Sequence, residues 1–406
     1  MATAIAVMPI AARAETLAEA FASAYQSNPV LAAARARQEA LEEAPEQARA
    51  GGRLTAAVDG GAGYDRFDYG KGGGATVSAN LPIWTGGRVS SAVRAAKGDA
   101  AAGAEGLRDT EAMVLSAVVS AYAELLYDQQ AVAIAQADIK LLDTQVAESQ
   151  SRFNLGQATK TDVARLQAQQ ASAVSSLAAA EATLASSTAD YRAVVGHDPG
   201  QLTPQSVVPG TLPSTLDVAR DQVLARNPLY RRSQAAGVAA AARVDQARAN
   251  GAPFLSVAGA YGYDANLDDG ASHGFPRASS IGLALHVPLL TGGLVASQVR
   301  QASAERRAAQ FDITAAERQA LREAETAWAN LIGAQHRVSA NHAGVAAADL
   351  ALNGVRAEYG YDLRTTLDIL VADESLRGSQ LALARSDSDV LIAQAALLRA
   401  TGQLGR

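Results

Sequence analysis

The chain has 406 residues, 49% of them hydrophobic but only 5% aromatic, and alanine dominates the apolar content; that suits long helices whose backbones approach closely and excludes a thick core of large side chains. A net charge of −6, from 35 basic and 41 acidic residues mixed along the chain, leaves no basic stripe for a phosphate backbone, so no nucleic-acid partner is expected. With no cysteine, disulfides, thiolate catalysis and thiolate metal sites within these residues are excluded, and a lipidated N-terminal cysteine is not expected.

At the start, a short apolar run from Ala4 to Ile10 leads into Ala12-Arg13-Ala14 and the polar Glu15. Small residues flanking a cleavage point after Ala14 are how a secretory signal peptide ends, so residues 1–14 read as a signal-peptide remnant. The basic segment that opens such peptides is missing, which fits a Met1 inside a longer precursor; a disordered or helical start is the other reading. No later stretch offers about 20 apolar residues free of charge, so no transmembrane helix is expected.

From Glu15 onward the sequence repeats itself. Asn28-Pro29 recurs as Asn227-Pro228, Gly63-Tyr64 as Gly262-Tyr263, Pro82 with Thr85-Gly86-Gly87 as Pro288 with Thr291-Gly292-Gly293, and Asp162-Val163 as Asp368-Ile369. The first two pairs are offset by 199 and the last two by 206, so copy two carries seven extra residues between its strands. The doubling divides the chain into repeats over 15–196 and 215–400, a Pro- and Gly-containing connector over 197–214, and a tail over 401–406.

Each repeat opens with a helix interrupted at Asn-Pro: Thr16 to about Arg49, and Thr215 to about Asn250. Thr16 with Glu19 three positions on has the form of a capping box. Strand pairs come next, over about 53–84 and 254–287. Leu54, Ala56, Val58, Gly60, Ala62 and Tyr64 alternate with other neighbours, as do Val77, Ala79, Leu81 and Ile83, and then Ile281, Leu283, Leu285 and Val287. Strands of about ten residues match a tilted membrane crossing. A soluble hairpin accounts for each pair taken alone, and only the joint context favours the membrane.

After Thr-Gly-Gly the period changes to helical, to about Phe153 in copy one and Tyr359 in copy two. An arm of roughly 60 residues would reach about 90 Å. Leu321, Ala324, Trp328, Leu331, Gln335, Val338, His342 and Val345 alternate spacings of three and four, a coiled-coil seam; Val114, Val118, Tyr122, Leu125 and Val132 form its counterpart. Short breaks at Phe153-Asn154-Leu155-Gly156 and Tyr359-Gly360-Tyr361-Asp362 reverse the arms, with Gly156 and Gly360 read as permitting the tight turns. The return arms, from about Thr159 to Val195 and Thr365 to Arg399, are shorter. The opening helices of each repeat are therefore expected to partner the rest of the outgoing arms.

Four membrane-length strands cannot close a barrel, and an open sheet in lipid leaves edge groups unpaired at several kcal/mol each. If these strands span a membrane, several chains must share one barrel. The five histidines are scattered, and His336 with His342 is not a chelating spacing. No nucleophile, base and acid come together in a recognisable pattern, so neither enzyme activity, cofactor nor metal is expected.

The chain resembles the outer membrane efflux protein family of the TolC type, and within it the ducts that serve type I secretion. The resemblance runs from Glu15 to Arg399 and rests on the two Asn-Pro pairs, on Leu81-Pro82-Ile83-Trp84-Thr85-Gly86-Gly87-Arg88 with Val287 to Gly293, and on the turns with Thr161-Asp162-Val163 and Thr366-Leu367-Asp368-Ile369-Leu370. It implies a mainly α fold with membrane β-structure: long antiparallel coiled-coil hairpins, plus four strands per chain in a shared twelve-stranded trimeric barrel. The implied setting is the outer membrane, in contact with its lipid, with a long periplasmic extension. The implied partners are two further copies, a periplasmic adaptor, and an inner-membrane ABC transporter or a proton-driven pump that supplies the energy. A soluble helical scaffold is the competing class.

Within that frame Asp368 falls at the inner mouth, where three copies would form a carboxylate ring that attracts cations. The family places two aspartates three residues apart there; the second position is Val371 in this chain, and the next acid is Asp373. An exposed acid at a helix start is the plainer reading of Asp368. Asp162, its copy-one counterpart, fits a cap or salt bridge better than a lining role. Tyr359, Tyr361 and Arg364 are candidates to hold a closed gate, with helix-end packing the alternative for the tyrosines. The turn surfaces at Leu155, Gly156, Gly360 and Leu363 are candidate adaptor contacts, and Trp84 a membrane-interface anchor or an ordinary packing residue.

Overall fold

The computed structural model describes residues 15–65, 70–205, 207–266, 277–361 and 363–405. The signal-peptide reading of residues 1–14, both strand-to-strand loop tips, with the stretch where copy two is longer, and Asp362 lie outside the described residues. The elements run α1 (Leu17–Ser27), α2 (Pro29–Ala50), β1 (Thr55–Asp65), β2 (Gly70–Trp84), α3 (Arg88–Asn154), α4 (Lys160–Val195), α5 (Leu216–Arg226), α6 (Pro228–Ala249), β3 (Phe254–Asn266), β4 (Arg277–His286), α7 (Leu294–Tyr359) and α8 (Thr366–Ala400).

The repeated motifs are the punctuation of this order, and each has a local cause. Thr16 and Glu19 close the capping box on α1, with Glu19 N–H donating to the Thr16 hydroxyl at 3.3 Å and Thr16 N–H to the carboxylate at 2.8 Å. Asn28 ends α1 with an extended backbone, as a residue before proline prefers, and Pro29 starts α2 where no N–H is needed. Its buried amide also works over distance: Asn28 Nδ2 donates to Val194 O near the end of α4 at 3.0 Å, and Asn227 Nδ2 to Ala400 O at the end of α8 at 2.8 Å. Asn-Pro thus ties each broken helix to the end of its own repeat's return arm. In Thr-Gly-Gly both glycines are left-handed, φ 61° and 87° for Gly86 and Gly87 and 58° and 82° for Gly292 and Gly293. A side chain at two successive such positions would be strained, which is why the strand-to-helix switch is spelled with glycine twice.

All four strands pair antiparallel in the order β1-β2-β3-β4, so β2 and β3 join the repeats. The register pairs Val58 with Val77, Val77 with Tyr261, and Val257 with Leu283. One irregularity falls between Pro82 and Trp84, where the lack of a proline N–H breaks the ladder.

The chain divides into two compact units, and each draws on both repeats. One gathers the residues up to Ala33, Arg108–Asn227 and the residues from Gln319 onward; its core joins Leu17 and Ala20 of α1, Val118, Tyr122 and Leu125 of α3, Tyr191 and Val195 of α4, and Leu391 and Leu398 of α8. The Tyr122 hydroxyl donates to Thr203 O at 2.6 Å, and Tyr191 donates to Glu15 Oε1 at 2.7 Å, so the large buried rings are polar-satisfied. The other unit holds the sheet with Ala34–Leu107 and Pro228–Arg318. Here α2 and α6 partner the strand-proximal stretches of α3 and α7, as the arm lengths require. A Cβ on Gly103 would sit 2.4 Å from Leu41, and one on Gly98 2.8 Å from the Ala239 methyl.

The α7 seam departs from the expected stripe. Ala324 and Leu331 are buried and Trp328 packs beside them, but Gln335 and His342 are exposed, and the buried line runs Ala316, Ala320, Ala324, Ala327, Leu331, Ala334. Reading the seam mainly by its larger side chains included Ala324 but missed Ala316, Ala320, Ala327 and Ala334, which pack where backbones come closest. Among the described residues no helix is long and apolar enough to cross a membrane.

Candidate functional site: a two-faced sheet and two capped turns

Alternation along the strands, carried across by the register, gives the sheet two unlike faces. Val58, Val77, Leu81, Leu255, Val257, Ile281, Leu283 and Leu285 share one face. Ile281 is 85% exposed and Val58 74%, so among the described residues nothing covers that face there. The opposite face carries Asp59, Thr76, Ser78, Asn80, Ser256, Ala260, Gly262 and Ser280 and lines an open hollow of about 610 Å³ at Asp59, Thr76, Gly262 and Ser280. An uncovered apolar face backed by a small polar one is the pattern of a barrel wall between lipid and water. Trp84 stands 52% exposed at the strand end before the first Thr-Gly-Gly, and copy two has Leu289 and Leu290 there, 87% and 97% exposed.

The helical turns form the second part. α3 ends in a Schellman arrangement: Gln157 N–H donates to Arg152 O at 2.8 Å and Gly156 N–H to Phe153 O at 2.9 Å, with Gly156 left-handed at φ 76°. Gly360 has no positive φ, so it does not make the corresponding reversal; at the offset of 206 the counterpart of Gly156 is position 362, outside the described residues. Gly360 follows α7 directly, its N–H donating to Arg356 O at 3.2 Å.

Asp162 and Asp368 both close capping boxes. The Asp368 carboxylate accepts from the Thr365 backbone N–H and hydroxyl, each at 2.8 Å; Asp162 accepts from Thr159 at 3.1 and 2.6 Å. These bonds hold both carboxyls below the ordinary carboxylate range, the Thr365 backbone N–H leading for Asp368 and the Thr159 hydroxyl for Asp162. Val371 is 59% exposed, while Asp373 is buried on the other side of the helix, so Asp373 cannot stand in for a second ring acid.

Two residues that the sequence reading did not single out complete the turn. Arg364 pairs with Glu358 at 2.6 Å, and the Arg152 guanidinium lies over the Tyr359 ring, 5.0 Å from its centre. The latter contact links the end of α3 to the end of α7; a basic residue in the last turn of α3 was its only sequence signal. Tyr361, Leu363 and Leu155 point into solvent, 80%, 73% and 72% exposed. No cluster of metal-ligating side chains occurs among the described residues.

The family model described as outer membrane efflux protein matches residues 21–197 and 219–403. The chain belongs to the outer membrane efflux protein family. It is 32% identical to the outer membrane efflux protein BepC of Brucella suis biovar 1, over 97% of this chain and 87% of BepC. It is 24% identical to the alkaline protease secretion protein AprF of Pseudomonas aeruginosa, over 72% of this chain and 62% of AprF. The crystal structure of the outer membrane protein VceC from Vibrio cholerae superposes with a TM-score of 0.79 at 24% identity, covering 95% of this chain and 96% of VceC. As an outer membrane efflux protein the chain is a non-catalytic channel of the outer membrane with a periplasmic helical extension, and its open sheet is one chain's share of a trimeric barrel.

Proposed function

We propose that this chain is the exit duct of a tripartite efflux assembly, in which three copies pass small molecules delivered by a periplasmic adaptor and an inner-membrane pump. The observation that carries a duct is the two-faced sheet whose outer strands β1 and β4 each keep one edge unpaired among the described residues. An efflux cargo is supported by the likeness to BepC, whose name is that of an efflux protein and which this chain matches over nearly its whole length. A second reading, export of a protein from an ABC transporter by type I secretion, is supported by the likeness to AprF, named for secretion of a protease.

In this duct Asp368 forms the cation-attracting ring at the inner mouth, and Asp162 serves only as a cap. Tyr359, Tyr361 and Arg364 stabilise the closed turn. The exposed surface at Leu155, Gly156, Gly360 and Leu363 meets the adaptor, and Trp84 rests at the membrane interface.

Two measurements test the proposal. Detergent-purified protein should be a trimer that conducts in a planar bilayer, and a monomer without conductance would sink the duct. Deleting the gene should sensitise cells to toxic small molecules without removing a protein from the medium. The opposite pair of results selects the secretion reading.

A further inference from the structure

The two helical hairpins of one chain, α3–α4 and α7–α8, meet along α3 and α8, and the chemistry of that seam changes along its length. Near the connector it is apolar, with Leu391 and Leu398 against Val118 and Leu125. Farther along, Arg385 reaches Glu124 at 2.7 Å, but these side chains are 44% and 38% exposed, so water screens the pair. Nearer the turns the seam holds charges that water does not reach. Asp138 of α3 and Asp373 of α8 have side chains only 3% and 6% exposed.

Arg377 of α8 bridges the two acids, its Nη1 2.9 Å from Asp138 and its Nε 3.1 Å from Asp373. Arg356 of α7 approaches Asp373 at 3.9 Å. From α4, the apolar Leu166 and Ala173 pack on the neighbouring Leu142. One oxygen is left over: Asp138 Oδ1 is buried with no donor in reach. Two ionised carboxylates cannot bond to each other, but a proton on Asp138 makes it a donor and Asp373 its acceptor.

We propose that Asp138, Asp373, Arg377 and Arg356 form a proton-tightened latch between the two hairpins of one chain. With Asp138 protonated, the acid pair shares a hydrogen bond and α3, α7 and α8 are held together. With Asp138 ionised, a charge is buried in the seam beside Asp373 and only partly offset by Arg377, and the hairpins separate more readily. Burial, first, and the nearby Asp373 raise the Asp138 carboxyl from 3.8 to about 6, against the opposing pull of Arg377.

The sign is set by proton linkage. A group that holds its proton more tightly in the packed form stabilises that form fully below its ordinary value, and the contribution is lost as pH rises through about 6. Between pH 5 and 7.5 the opening equilibrium of the seam should therefore rise about tenfold.

The test is hydrogen exchange by mass spectrometry on the detergent-solubilised full chain, with rates corrected for the intrinsic pH dependence. It reads the protomer's own seam, so it does not depend on the identity of the pump or cargo. In the native chain, protection of residues 136–146 and 366–376 should fall about tenfold from pH 5 to 7.5, while the apolar end near Val118 and Leu398 stays constant. Asp138→Asn, whose amide is a permanent donor, should keep high protection at both pH values. Asp373→Asn removes the like charge but not the burial, so it should shrink the change and move its midpoint to lower pH, and this can be read even if Asp138→Asn fails to fold. Protection that does not change with pH in the native chain, a tenfold change that persists in Asp138→Asn, or a change left at full size with an unmoved midpoint in Asp373→Asn, would overturn the latch.

Discussion

Asp162 and Asp368 stand at equivalent positions of the two repeats and make the same pair of bonds to the preceding threonine. Any difference between their substitutions therefore cannot come from helix capping, and Asp162 becomes an internal control for Asp368. Asp368→Ala and Asp162→Ala should each speed hydrogen exchange in the first turn of their helix. Only Asp368→Ala should also weaken the cation preference of single channels and their block by multivalent cations. Equal effects of the two on selectivity, or none from either, would remove Asp368 from the inner mouth. Because the Thr365 bonds hold the carboxyl below the ordinary range, both the cap and the cation preference should persist in mild acid; they should fade only when pH falls through that depressed value. Val371→Asp, at an exposed site one turn on, should strengthen the preference.

At the scale of elements, the repeats carry their own explanation where a motif forces a local geometry. Asn-Pro, Thr-Gly-Gly and the capping boxes were legible because each needs particular residues at fixed spacing. The α7 seam was only half legible, since alanines at 316, 320, 327 and 334 look like filler until a neighbouring helix lies against them. The latch was not legible at all: Asp138 and Arg377 meet at 2.9 Å but stand in different repeats, and no local pattern pairs them. Gly360 misled for the opposite reason, since a glycine near a reversal is read as a left-handed turn residue and this one has no positive φ. The Asn-Pro account predicts a clear asymmetry. Asn227→Ala leaves the buried Ala400 carbonyl without its donor, at a cost of about 1–3 kcal/mol. Pro29→Ala, at the exposed equivalent position where no N–H is required, should cost well under 1 kcal/mol, roughly a propensity effect. The midpoint of denaturant-induced loss of helical signal separates them, and equal shifts would refute the tethering role.

For the whole molecule, the internal repeat supplies the one interface that a single chain cannot contain. Within the chain β2 pairs with β3, Val77 opposite Tyr261 and Leu81 opposite Val257. Copy two places β4 in the role of β2 at an offset of 206, and copy one places β1 in the role of β3 at an offset of 199. If the junction between chains repeats the junction within one, Leu283 of β4 lies opposite Ala62 of β1 in the next copy. A slip of one residue would set the apolar face of one strand against the polar face of the other, so the alternatives are slips of two or more. The strand-to-helix turns agree with this arrangement. Gly86 is packed closely enough that a Cβ would lie 2.6 Å from Ala252, a residue just before β3, whereas its counterpart Gly292 meets nothing within 4 Å. The segment that would cover Gly292 is the one just before β1, near Arg53, in a neighbouring copy. Since the chain has no cysteine, the register can be measured without background. A Leu283→Cys, Ala62→Cys double variant, treated with oxidant or a short thiol-reactive linker in native membranes, should give covalent dimers and trimers on denaturing gels. Leu283→Cys with Val58→Cys, four residues away on the same face, should stay monomeric. A ladder from the second variant and none from the first would show that the chains join in a different register from the repeats.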